Sequence, residues 1–245
     1  MSKINVAIVG CSHSSFLFGR PYHDYLDPEK YNVISASSPG GGNEMFIDKL
    51  YHILCNNPID VIVVQLTEPA RLTQGIRDYN LNYKKKSLPP KEMYHSDREF
   101  DDTLYYTFNI YDNDTYLSDL LDQEVKVDDF ILKNVTTTRY NLKIKIFHTI
   151  MGLIGLSKMF NTKLFMFSWF VEFEELLKQK NRENHYGRVL NEVDYIIDRC
   201  VATYTHENRI YGKPELDYHY DSDQHKRIFE EYFNPEFETF LKNYG

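Results

Sequence analysis

Ile4-Asn5-Val6-Ala7-Ile8-Val9-Gly10-Cys11-Ser12 is the stretch that decides the fold. An unbroken apolar run ending in Gly suits a parallel strand, which is covered by helices on both faces. The run is too short for a signal-peptide core and no small-residue cleavage site follows it, so it reads as a strand. Asn32–Ser37 forms a second, shorter run, closed by Ser38-Pro39-Gly40-Gly41-Gly42-Asn43. Met45, Phe46, Leu50, Ile53 and Leu54 then recur at helical spacing, which predicts an amphipathic helix over about 44–56. After the turn Asn56-Asn57-Pro58-Ile59-Asp60, Val61–Leu66 is a third buried strand. Strand, crossover and strand at this spacing mean βαβ units and a mostly parallel central sheet in a three-layer α/β/α sandwich.

Further along, the pattern dissolves into Tyr, Asn, Asp and Lys. Residues 72–135, with Lys84-Lys85-Lys86-Ser87-Leu88-Pro89-Pro90-Lys91, read as an insertion or lid within a single domain covering 1–245. A structureless stretch of that length is unusual inside a domain, so short helices are expected in it. A helix is expected over about 138–160, a fourth strand over Lys163–Phe170, and a closing helix over about Ser222–Phe233. Asn234-Pro235 is expected to break that helix, with a final turn or helix running on to Lys242.

Composition narrows the function classes. The 245 residues are 42% hydrophobic, too apolar for a disordered chain. The net charge of −8 argues against a general grip on nucleic acid or on an anionic membrane. Cys11, Cys55 and Cys200 are an odd, scattered set without a CxxC pair, which argues against a disulfide scaffold or zinc site. Ile144–Phe160, interrupted by Lys145, His148 and Lys158, falls short of a bilayer span, so a soluble protein is expected. There are 20 Tyr and 16 Phe but only Ala7, Ala36, Ala70 and Ala202 among the alanines, a skew typical of AT-rich coding.

In open parallel sheets, ligands bind outside the carboxyl ends of the strands. The three tips carry Gly10-Cys11-Ser12-His13-Ser14-Ser15, Gly40-Gly41-Gly42-Asn43 and Gln65-Leu66-Thr67-Glu68, with Arg71 following. Gly10 is not followed by the glycines of a dinucleotide turn, and Gly42 leads into Asn-Glu and not Lys-Ser/Thr, so both phosphate-loop readings fail. A Ser just past the first strand suits a nucleophile whose own amide faces a developing oxyanion, provided a base and an orienting carboxylate come close. Asp217-Tyr218-His219-Tyr220-Asp221-Ser222-Asp223-Gln224-His225 is the densest supply of both.

These blocks together resemble the SGNH (GDSL-like) hydrolases and acyltransferases, and most closely the phage- or virus-encoded members. Gly10-Cys11-Ser12 stands where that family has Gly-Asp-Ser, and Pro39–Asn43 is similar to its second block. Gln65–Glu68 falls where Gly-x-Asn-Asp is expected, and Asp217-Tyr218-His219-Tyr220 is similar to its Asp-x-His block. The resemblance implies a flavodoxin-like SGNH fold and a catalytic triad of Ser12, His219 and Asp217. It also implies an oxyanion hole from Ser12, Gly40 and Thr67, and substrate contacts from Asn43, Arg71 and His13. The implied reaction is hydrolysis of an O-acyl ester, such as an O-acetyl group on a glycan or small molecule, without cofactor or metal. Two departures stand out: Cys11 replaces the family Asp, and Thr67 the family Asn.

Rival readings use the same residues. His225 is an alternative base. Asp217, His219, Asp221, Asp223 and His225 are five metal-ligand types within nine residues, although Asp223 and His225 are better explained as opening a helix. A non-catalytic structural or binding protein, virion-associated if the chain is viral, would keep the fold with a degraded site. Expected partners are an acylated small molecule or glycan, with no nucleic acid and no membrane. The expected location is cytoplasmic, or in the virion if viral.

Overall fold

The computed structural model describes residues 2–14, 19–37, 42–67, 71–77, 103–109, 139–216 and 219–244. Its strands are β1 (Ile4–Val9), β2 (Tyr31–Ser35), β3 (Val61–Leu66), β4 (Arg71–Arg77), β5 (Thr103–Asn109), β6 (Lys163–Ser168) and β7 (Tyr195–Ile196). Five of these form one sheet in the order β2-β1-β3-β6-β7, with every neighbouring pair parallel. The chain steps outward from β1 to β2 and then returns across β1 to β3. That reversal makes the β1/β3 boundary the topological switch point of a doubly wound sheet.

Side chains alternate between the two faces along each strand and are buried on both. Ala7, Val9, Ile62, Val64, Leu164 and Met166 face one core cluster. There they meet Phe46 and Leu50 of α1 (Asn43–Asn56) and Ile150 and Leu153 of α2 (Arg139–Met159). Val6, Ile8, Val61, Val63, Phe165 and Phe167 face the opposite cluster. The intervening short helices are α3 (Glu174–Leu177), α4 (His185–Leu190) and α5 (Val201–Glu207). The last two helices, α6 (Ser222–Ile228) and α7 (Asn234–Tyr244), cover the second cluster with Ile228, Phe237 and Phe240, so the architecture is a three-layer α/β fold. Much of the Phe and Tyr excess is packed here: the Phe165 ring lies 5.6, 5.4 and 5.4 Å from those of Phe233, Phe237 and Phe240, in edge-to-face contact.

Three elements differ from expectation. Around the expected insertion, the described pieces β4 and β5 form an antiparallel ladder that was not foreseen, with Arg71 opposite Asn109 and Arg77 opposite Thr103, while the short helices expected within 72–135 fall on residues outside the described ones. Backbone pairing over seven residues, with β4 running beside α1, satisfies the main-chain N–H and C=O groups of both segments without an apolar helical stripe. The remainder of 72–135 lies outside the described residues. Pro235 does not break the last helix, because Phe229–Phe233 form a π turn that leads directly into α7. Pro235 has no N–H to donate back along the helix and its ring needs room, and it sits in the first turn of α7, where neither is a defect. The sheet also gains β7, only two residues long, from a segment without strand periodicity. No helix among the described residues is long and apolar enough to cross a membrane.

Candidate functional site

The carboxyl ends of β1, β3 and β6 lie side by side, so Gly10–Ser14, Thr67 and Trp169 meet at the switch point. The chain leaves β1 into a 3₁₀ turn, Ser12–Ser14, with Ser12 as its first residue. Behind that turn runs a buried polar chain. The Ser14 hydroxyl donates to Gln65 Oε1, and Gln65 Nε2 donates to Cys11 Sγ at 3.2 Å. All three residues are buried. The Cys11 thiol therefore points inward, away from any nucleophilic role. Gly10 has to be glycine, since a methyl group there would lie 2.6 Å from Ser14 Oγ and 2.7 Å from Gln65 Oε1.

At the end of β3, the Asn43 side chain locks the main chain of Thr67. Thr67 N donates to Asn43 Oδ1 at 2.8 Å and Asn43 Nδ2 donates to Thr67 O at 3.0 Å. Asn43 was expected to meet substrate, but it is buried and its amide ties the start of α1 to the end of β3. The same bond occupies the Thr67 amide, so the main chain of Thr67 is tied to α1. Gly40 and Asp217 lie outside the described residues. Arg71 is placed only by its backbone, as the first residue of β4.

The two distant segments meet through their rings. His13, the residue after Ser12, stacks on Trp169 with centroids 4.1 Å apart and planes 6° from parallel. Its other neighbour is His219, with centroids 4.6 Å apart at 28°. Tyr220 lies 5.8 Å from the His13 centroid and shares a hydrogen bond of 3.0 Å with the Thr205 hydroxyl. His219 is held by its own hairpin: Lys213 N donates to its carbonyl at 3.0 Å, and its amide donates to Leu216 O at 2.9 Å. Its ring Nδ1 lies 3.1 Å from the Leu216 carbonyl oxygen. A carbonyl can only accept, so Nδ1 carries the proton and Nε2 is the basic nitrogen. His13 was expected at the substrate, yet its ring is packed between Trp169 and His219.

His225, the alternative base, is buried near the Trp169 and Tyr220 rings. Burial, then the neighbouring His219, push its pKa down to about 4 against an opposing pull from Asp221, so it is a weak proton acceptor. His23 is buried too, with its pKa down to about 3 through burial and then the His225 charge. Asp221 is occupied as a helix cap: its carboxylate accepts from Gln224 N at 2.9 Å while Gln224 Oε1 accepts from Asp221 N at 3.0 Å. It is also paired with Lys213, whose hydrogen bond holds its carboxyl below the usual range. Among the described residues no group of three or more His, Cys, Asp and Glu side chains could hold a metal.

Reading motifs by family blocks overlooked Gln65, Ser14 and Trp169. Trp169 had a legible signal, as the single Trp just beyond a predicted strand, where site residues were being sought on the other three strands. No family model matches this chain, and no curated protein is similar to it.

Proposed function

We propose that this chain is a serine esterase of the SGNH type, which hydrolyses an O-acyl ester, most plainly an acetyl group borne by a carbohydrate. The observation that carries the reading is the contact of His13 with His219. It brings the residue following Ser12 against a histidine whose Nδ1 is already committed as donor. Ser12 Oγ bonds to the acyl carbon as its proton passes to His219 Nε2. The Ser12 and Gly40 amides stabilise the oxyanion, with Thr67 contributing through its hydroxyl alone. The C–O bond to the alcohol then breaks, with the His219 proton going to the leaving oxygen. Water then attacks acyl-Ser12 while giving a proton to His219, the bond from the acyl carbon to Ser12 Oγ breaks, the His219 proton returns to that oxygen, and the acid leaves. Asp217 and the Leu216 carbonyl share the orientation of the imidazole.

Short-chain aryl ester hydrolysis by wild type, Ser12→Ala and His219→Ala tests this, together with fluorophosphonate labelling. Each substitution is expected to lower kcat/KM by about a thousandfold or more, and labelling should be lost with Ser12. Equal rates in all three chains would sink the proposal. A second reading, a binding or structural protein with this fold, is favoured by Cys11 and Thr67 standing where the resembled family has Asp and Asn, with the Cys11 thiol turned to Gln65. Losing one oxyanion donor costs about a hundred- to a thousandfold. Background rates with no labelling of Ser12 would select that reading.

A further inference from the structure

We propose that His13 is a positioning residue for His219, holding the base's ring from one face and stabilising it once it carries a proton. The inference rests on the esterase reading of the same site. A triad carboxylate supplies both orientation and negative charge to its histidine. Nδ1 of His219 lies 3.1 Å from the Leu216 carbonyl oxygen, which helps to orient the ring from its edge.

The ring stack holds the imidazole from its face. Trp169 is buried, and its main-chain N–H donates to Leu66 O at 3.2 Å, so the indole is anchored to the sheet at the end of β3. His13 lies flat on that indole at 4.1 Å, and His219 lies on His13 at 4.6 Å. Tyr220 closes the edge, 5.7 Å from Trp169 and 5.8 Å from His13. When Nε2 takes the Ser12 proton, the imidazolium faces a neutral ring backed by an indole, an attraction between cation and π system. The arrangement requires a neutral His13, since a second positive charge at that separation would oppose the first. Among the described residues, the titratable or charged groups near His219 include His225 of α6 and the Lys213–Asp221 pair flanking its hairpin.

The test follows the His219 imidazole by NMR through a pH titration of the full chain, its signal assigned by absence in His219→Gln. His13→Ala should lower the His219 midpoint by about 0.4 to 1.5 pH units, since the charged form loses its face contact. His13→Phe, which keeps a ring face, should recover most of that change. His13→Gln replaces the alanine variant if that chain fails to fold, and should behave as the alanine would. In the aryl ester assay, the ringless variants should lose about two- to thirtyfold in kcat with little change in KM. An unmoved midpoint in the ringless variants, or a phenylalanine variant that shifts as far as they do, would overturn the inference. If the midpoint moves as stated but no chain hydrolyses ester, the esterase reading fails and the positioning stands.

Discussion

Asn43→Ala offers a direct measurement of what holds the site's third strand end in place. The side chain is 4% exposed and Thr67 is fully buried, so water cannot readily replace the two bonds of 2.8 and 3.0 Å between them. Each intramolecular hydrogen bond contributes about 1 kcal/mol net, and a buried amide or carbonyl left behind costs about 1–3 kcal/mol. These overlap, and together they imply a loss of about 3 kcal/mol. For a domain of this size, that lowers Tm by roughly 6–12 °C. Urea denaturation followed by Trp169 fluorescence is the assay, because the indole lies beside the perturbed strand end and the chain has no other Trp. The denaturant dependence should keep its slope while its midpoint falls. Asn43→Asp sharpens the experiment. It keeps an acceptor for Thr67 N but replaces the donor to Thr67 O by a carboxylate oxygen, unless the group is protonated. Its folded pKa is therefore raised, and its stability relative to wild type is best below the unfolded value of about 3.9 and lost as pH rises through the folded one. A deficit below about 1 kcal/mol for Asn43→Ala, or a pH-independent deficit for Asn43→Asp, would refute the reasoning.

Gly10→Ala should cost about 2–4 kcal/mol by overpacking the Ser14–Gln65 pair, and adding Ser14→Ala should recover part of it, whereas simple additivity in urea unfolding would count against the clash. Burial lowers the pKa of His23 to about 3 and of His225 to about 4, below the unfolded value of about 6.5. Depressed histidines bind protons better when unfolded, so their stability is fully present above about pH 6.5 and lost as pH falls toward 4. The two together imply a fall of about 3 kcal/mol between about pH 6.5 and 5, checked by urea unfolding at each pH and contradicted by a flat profile. Asp221→Ala should cost about 1 kcal/mol through loss of the cap on α6, while Asp221→Asn, which can still accept from Gln224 N, should stay within about 0.5 kcal/mol in thermal melts.

The strands β1, β3 and β6 were legible because their apolar runs are local and buried on both faces, and the helices over 43–56 and 139–159 because each has continuous helical length. The β4–β5 ladder was not, since its pairing joins residues some thirty positions apart. The π turn before Pro235 was hidden for a related reason: proline predicts a break, and only the packing of Phe229 and Phe233 against the aromatic core decides that the axis continues. At the site, strand-end topology pointed to Ser12 and Thr67, and the density of Asp and His pointed to the segment around His219. It could not tell a side chain that faces a ligand from one that locks a neighbouring backbone, and Asn43 proved to be the second kind.

What the amino-acid order determined alone is the layered parallel sheet and the strand-end loops at which a site would gather. Both follow from burial periodicity and turn residues within short windows. Tertiary structure alone decided that His13 lies between Trp169 and His219, that Cys11 turns inward to Gln65, and that the Thr67 amide is occupied. Those outcomes depend on angles and distances of a few ångströms between residues up to about two hundred positions apart, set by how the whole core packs and not by any local pattern.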